Sequence, residues 1–111
     1  MKRDEFGFVL PSLYYQFLSE WDERDSYEID DSGICLYSTE DLLERNETYQ
    51  IEVDEPDFFM IGQEGDLAYF IKKNSGDSIY ENDLGALGSL EMQKVAATVY
   101  DFIDKVLEER L

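Results

Sequence analysis

Histidine is absent from this chain of 111 residues, and cysteine occurs only once, at Cys35. The commonest general base and metal ligand is therefore missing, and a lone cysteine cannot close an intrachain disulfide. Cys35 lies between Ile34 and Leu36 in a strand-like run, which is typical of a buried structural thiol rather than a nucleophile. The sequence thus predicts a protein that is not an enzyme, with no catalytic residue, no cofactor and no metal site. A carboxylate-based hydrolase is left open, although no pair of acids stands out.

Basic residues are also scarce. Nine Lys and Arg residues stand against 27 Asp and Glu residues, which gives a formal net charge of −18. Such a field repels nucleic acids and anionic membranes and attracts basic proteins. The acidic surface is explained either by solubility alone or by a basic protein partner.

Long apolar runs are missing as well. No stretch has the length of a signal peptide or a membrane-spanning helix, and the lone cysteine fits a reducing compartment. We therefore expect a cytoplasmic protein. Its length and the lack of repeats or linkers predict a single domain over residues 1–111, while its oligomeric state is unknown from the sequence.

The pattern of apolar residues predicts an α+β fold, with a mainly antiparallel sheet and three helices packed on it. The N-terminal helix begins after Pro11, a short middle helix begins at Ser38 and stops near Asn46, and a long C-terminal helix begins near Leu90, with Met92, Val95 and Ala96 on its buried stripe. The predicted strands are 27–29, 34–37, 49–53, 58–61, 67–71 and a short one near 78–80.

Two glycines frame a short acidic turn in FFMIGQEGDLAYFI, residues 58–71. A phosphate-binding glycine loop needs a helix N-terminus and usually a lysine nearby. Here strand-like sequence lies on both sides, and Glu64 and Asp66 would repel a phosphate. The turn is therefore predicted to join two strands of a hairpin, with Gly62 and Gly65 supplying unusual φ angles.

Acidic residues cluster around one tryptophan, as in an interface anchor with a charged rim. The alternative is that Trp21 only covers the edge of the core. The loop positions of the acids predict three groups of partner-binding residues: Glu20, Trp21, Asp22, Glu23 and Asp25; then Glu52, Asp54, Glu55 and Asp57; and Glu64 with Asp66 at the hairpin tip.

Four motifs in order resemble the SMI1/KNR4 family, also called the SUKH superfamily. They are LPSLYYQFL, LYSTEDLLERNETY, FFMIGQEGDLAYFI and KVAATVYDFIDKVL, and together they span nearly the whole chain, from about Leu10 to about Leu107. After the first helix this chain has SEWDERD where many members have Asn-Gly, and we expect this segment to be specialised.

The resemblance implies an α+β fold with a curved sheet and no enzymatic activity. It further implies one of two roles. The first is a cytoplasmic immunity protein that binds and neutralises a polymorphic toxin domain, often a nuclease. From the charge of this chain we expect a basic toxin of nuclease type, bound through an acidic surface that mimics nucleic acid. The alternative is a non-catalytic regulatory scaffold for protein–protein interaction. A net charge of −18 favours the first role, because it would steer the protein towards a basic toxin.

Overall fold

The structure is a computed structural model that describes residues 8–20, 26–29 and 32–109. Within these ranges the chain forms four α-helices and six β-strands, with a short 3-10 helix at Leu84–Ala86. The helices are α1 Ser12–Glu20, α2 Thr39–Thr48, α3 Ile51–Asp54 and α4 Val99–Glu109, and the strands are β1 Tyr27–Glu28, β2 Cys35–Leu36, β3 Phe58–Glu64, β4 Leu67–Lys72, β5 Ile79–Asp83 and β6 Gln93–Ala96. The predicted α+β class is confirmed.

The strands form one antiparallel sheet in the order β1-β2-β3-β4-β5-β6. Each strand therefore pairs with its neighbour in sequence. The hairpin of β3 and β4 runs from the pair Phe58–Lys72 to the pair Glu64–Leu67, which leaves Gly65 and Asp66 as a two-residue turn. The predicted hairpin is confirmed, and Gly65 has the expected positive φ of 58°.

Gly62 serves a different purpose from the one predicted. It lies inside β3 and is not among the residues with positive φ. A Cβ atom at Gly62 would lie 2.4 Å from the backbone oxygen of Cys35. The glycine is therefore required because β2 passes too close for any side chain. Cys35 itself is a free, partly exposed cysteine, not the buried thiol that we predicted.

The core lies on both faces of β4. Ala68, Tyr69, Phe70 and Ile71 are all buried, although successive strand residues point to opposite faces. On one face the ring of Tyr69 packs against Phe102 of α4, with 4.7 Å between centroids. On the other, Phe70 lies edge-on to Phe58 at 6.4 Å. The sheet is thus covered on both sides along its central strand.

The predicted strand at 49–53 is wrong. Gln50 has a φ of 54°, and the chain then turns into α3, where the N–H of Glu55 donates to the carbonyl oxygen of Ile51 at 2.7 Å. Only Ile51 is buried in α3. The alternation of Tyr49, Ile51 and Val53 is too short to distinguish one turn of helix from a strand.

The predicted limits of two helices are also wrong. Ser38 caps α2 as expected, accepting a hydrogen bond from the N–H of Asp41, but α2 continues past Asn46 to Thr48. Leu90 does not begin the C-terminal helix, because residues 93–96 pair with β5 as strand β6. Helix α4 begins at Val99, where the hydroxyl of Thr98 accepts from the N–H of Asp101 at 3.0 Å. No helix within the described ranges has the length and apolar character needed to cross a bilayer.

Candidate partner-binding surfaces

The first predicted group of binding residues is described only at Glu20, since Trp21, Asp22, Glu23 and Asp25 lie outside the described residues. Glu20 ends α1, and its carboxylate accepts a hydrogen bond from the hydroxyl of Tyr100 at 2.6 Å. Partial burial, together with the hydrogen bond to Glu20 and its negative charge, raises the pKa of Tyr100 to about 12. A small cavity of about 220 Å³ between Glu20, Phe17 and Tyr100 has mainly aromatic walls.

The second predicted group lies on and beside α3, but its four acids do not act alike. Glu52 forms an ion pair with Lys73, with 2.5 Å between carboxylate oxygen and Nζ. Asp57 is exposed, and its backbone oxygen accepts from the N–H of Lys73 at 2.8 Å. Two of the nine basic residues, Lys72 and Lys73, therefore lie at this end of β4, so this surface is less uniformly acidic than the sequence suggests.

Asp54 and Glu55 border an open groove of about 550 Å³ between α3 and the segment 88–92. We call it the α3 groove. Glu55 fixes its shape, because its carboxylate accepts from the N–H of Gly88 at 2.7 Å. The groove is lined by acidic, aromatic and aliphatic side chains and one lysine, contributed by Asp54, Glu55, Phe58, Lys72, Tyr80, Gly88, Ser89, Leu90, Glu91 and Met92.

One exposed aliphatic side chain lines this groove, and a second belongs to helix α3 beside it. Leu90, which lines it, is 62% exposed, and Val53, next to Asp54 in α3, is 74% exposed. They are the most exposed of the large hydrophobic side chains in the part of the chain that the structure describes. In the same part, the carboxylates of Asp54 and Glu91 have no hydrogen bond or ion pair. The surface thus combines exposed apolar residues with unpaired acids.

The third predicted group, Glu64 and Asp66, lies at the opposite end of β3. A seven-residue strand spans roughly 20 Å, so the hairpin tip does not join the α3 groove in one patch. Glu64 instead borders a second cavity, of about 430 Å³, which we call the hairpin groove. It lies between α4 and one end of the sheet and is lined by Ile34, Glu64, Leu67, Tyr69, Glu81, Val95, Phe102, Lys105 and Val106.

Sequence reasoning missed several residues of both grooves. Leu90 was predicted to begin a helix, which would also have contained Glu91, and Val53, in the neighbouring helix α3, fell within the predicted strand 49–53. The sequence did contain one signal: LGALGS, residues 84–89, is rich in residues that disfavour helices and so places Leu90 and Glu91 beside a loop. Glu81 gives no comparable signal, because its place in the hairpin groove depends on the register of β5 with β4.

Over the described ranges, no group of three or more His, Cys, Asp or Glu residues is placed to hold a metal ion. Two raised tyrosine pKa values have structural causes. Burial raises the pKa of Tyr14, and burial followed by the neighbouring Tyr49 raises that of Tyr37. Neither tyrosine lines the α3 groove or the hairpin groove.

A scan against protein-family models finds no match to this chain, and a search of curated proteins finds none either. The resemblance to the SMI1/KNR4 family stays a prediction based on the four sequence motifs.

Proposed function

We propose that this chain is a non-catalytic binding protein that recognises a basic protein partner, and that it acts as an immunity protein against a toxin domain of nuclease type. The α3 groove carries this proposal. Leu90, which is exposed, lines it together with Asp54 and Glu91, and the exposed Val53 precedes Asp54 in α3; an apolar side chain with charged surroundings is typical of protein interfaces.

The exposed aliphatic side chains support binding to a protein rather than solubility alone. Acids that serve only solubility need no apolar residues among them, whereas an interface needs a desolvated centre. Leu90 and Val53 contribute little to the core at 62% and 74% exposure. Their exposure therefore has a better explanation in a partner than in folding.

The net charge of −18 supports the choice of a basic partner. A nuclease binds phosphates through basic residues, so its active-site surface complements an acidic inhibitor. Electrostatic steering of this kind accelerates association by roughly 10- to 1,000-fold at low salt. Because Asp54 and Glu91 have no cation of their own among the described residues, they are available to one from a partner.

The proposal is tested by co-expressing this chain with the C-terminal domain of the protein encoded immediately upstream and measuring growth. We expect the domain to be toxic alone and the wild-type chain to restore growth. Val53→Arg with Leu90→Arg should abolish protection, because two cations would face a basic partner at the centre of the interface. Leu43→Arg is a control for a new cation at an exposed leucine: Leu43 is also exposed, at 48%, but belongs to α2 outside the α3 groove, and this variant should still protect.

Two results would contradict the proposal. If the upstream domain is harmless, or kills cells despite the wild-type chain, the immunity role fails and the regulatory scaffold becomes the better account. If the double variant at Val53 and Leu90 protects as well as the Leu43 variant, the immunity role stands but the α3 groove is not its binding surface.

A further inference from the structure

We propose that the hairpin groove binds an arginine side chain of the protein partner, with Glu64 and Glu81 as the carboxylates that receive its guanidinium group. The inference rests on the proposed function for the identity of the partner as a basic protein. It adds a second point of contact, at the opposite end of β3 from the α3 groove.

The walls of the hairpin groove suit the stem of an arginine. The lining includes Leu67 and Tyr69 of β4 and Phe102 and Val106 of α4, and the rings of Tyr69 and Phe102 pack against each other into a continuous apolar surface. Tyr69, Phe102 and Val106 are buried parts of the core, so the walls are fixed before any partner arrives. Arginine buries its methylene stem against apolar surface of this kind while its charged head stays at a polar rim.

The two carboxylates lie on the same face of the sheet as this apolar wall. Glu64 pairs with Leu67 across β3 and β4, and Glu81 pairs with Tyr69 across β4 and β5. Residues directly opposite each other in a sheet share a face. With β4 between them, β3 and β5 lie about 10 Å apart, so both glutamates can reach a cation above β4. A guanidinium has five donors in a planar fork and can serve two carboxylates at once, which an ammonium group does less well.

Neither carboxylate has a cation in the part of the chain that the structure describes, where both lack any hydrogen bond or ion pair. Lys105 also lines the groove, but its Nζ lies 3.6 Å from Asp101 and donates to the backbone oxygen of Val95 at 3.3 Å. Glu81 is only half-exposed beside the apolar wall. A carboxylate in such surroundings gains more from an added cation than one in open water does.

Nuclear magnetic resonance with a small probe tests this site without the partner. The probe is acetyl-arginine amide, and acetyl-citrulline amide is its uncharged control of the same shape. We expect the arginine probe to shift the backbone amide signals of groove residues such as Leu67, Glu81 and Val106, with a Kd on the order of 1 mM. The citrulline probe should leave them in place.

Variants of the full chain distinguish binding at a specific site from a general effect of net charge. Glu64→Gln with Glu81→Gln should weaken binding of the arginine probe about tenfold, as expected for two partly exposed ion pairs. Glu40→Gln with Glu47→Gln removes the same charge from exposed positions of α2 and should change the Kd less than twofold. Lys105→Gln should tighten binding, because among the described residues Lys105 is the cation that lines the groove.

The proposal is overturned if the groove signals do not move, if both probes move them equally, or if the two double variants weaken binding to the same extent. These outcomes are independent of the growth assay. Protection of cells without probe binding would leave the proposed function intact and remove only this site. Probe binding without protection would keep the arginine site and require a basic partner other than a toxin.

Discussion

The side chain of Asn46 forms hydrogen bonds with both backbone groups of Met60. Its Nδ2 donates to the Met60 oxygen at 2.8 Å, and its Oδ1 accepts from the Met60 N–H at 2.8 Å. Nδ2 also donates to the oxygen of Leu42, one turn earlier in α2, at 2.9 Å. Strand β2 pairs with β3 only at Gly62 and Gln63, so Asn46 takes the place of a neighbouring strand at Met60. It ties α2 to the edge of the sheet.

We predict that Asn46→Ala lowers the free energy of unfolding by about 2–4 kcal/mol, since the change leaves the N–H and carbonyl of fully buried Met60 without partners. Glu47→Ala, at the next and exposed position, should cost less than about 0.5 kcal/mol. Urea denaturation of both variants provides the measurement. Equal midpoints for the two would show that Asn46 does not hold α2 to β3.

A second prediction concerns the glycine inside β3. Gly62→Ala should destabilise the protein by about 1–3 kcal/mol, because the new methyl group would lie 2.4 Å from the Cys35 oxygen and 2.9 Å from Leu36 Cδ2 and would force the strands apart. Gly76→Ala is the control. Gly76 has open space around its Cα and no positive φ, so alanine there should be neutral or slightly stabilising. Thermal unfolding that ranks the two variants the other way would refute this account of Gly62.

Removing the buried hydroxyl of Tyr14 and that of Tyr37 should change the stability of the protein in different ways. The hydroxyl of Tyr14 is buried with no hydrogen-bond partner in the described part of the chain, whereas that of Tyr37 donates to Gln63. Tyr14→Phe should leave the free energy of unfolding unchanged or raise it by up to about 1 kcal/mol, and Tyr37→Phe should lower it by about 1 kcal/mol. Guanidinium denaturation of the two variants tests this, and a clear loss in Tyr14→Phe would reveal a partner for that hydroxyl.

Alkaline pH should weaken the contact between α1 and α4. The folded pKa of Tyr100, about 12, lies above the ordinary tyrosine value of about 10. The folded state therefore holds this proton more tightly than the unfolded state, and the contribution of Tyr100 to stability is present below pH 10 and is lost as the pH rises towards 12. Glu20→Gln should lower the pKa of Tyr100 only part of the way towards the ordinary tyrosine value, since the burial of Tyr100 remains. A titration followed by the ring signals of Tyr100 checks this, and an unchanged pKa would mean that Glu20 does not contribute.

Local sequence patterns were sufficient to predict much of this fold, but they did not predict contacts between residues that are far apart in sequence. The capping of α2 by Ser38 and the β3–β4 hairpin follow from residues close in sequence. Thr98 and Asp101 form a similar local start signal for α4, although the longer apolar stripe that begins near Leu90 favours an earlier start. In contrast, the carboxylate of Asp77 accepts a hydrogen bond from the N–H of Leu13 in the first turn of α1 at 2.9 Å, and the two residues are 64 positions apart in sequence. No local sequence pattern predicts such a cap.

The proposed binding surfaces show the same division. Composition predicts an acidic surface, and loop placement selects Asp54, Glu55 and Glu64, which the structure places at the borders of the two grooves. The ion pair of Glu52 with Lys73 and the common face of Glu64 and Glu81 depend on strand register, which a single sequence specifies only through the completed fold. The exposure of Val53 could not be predicted from the sequence, because one short alternating pattern fits a strand as well as a helical turn.

The central claim is that the unpaired acids of the α3 groove bind a basic protein, and calorimetric affinity tests it most directly. The purified chain is titrated with the catalytically inactivated upstream domain. Asp54→Asn with Glu91→Gln should raise the Kd at least about tenfold, while Asp104→Asn with Glu108→Gln, an equal loss of charge at exposed positions of α4, should raise it less than about threefold. Equal effects of the two double variants would show that only net charge matters, and the absence of any effect from the α3-groove pair would contradict the account.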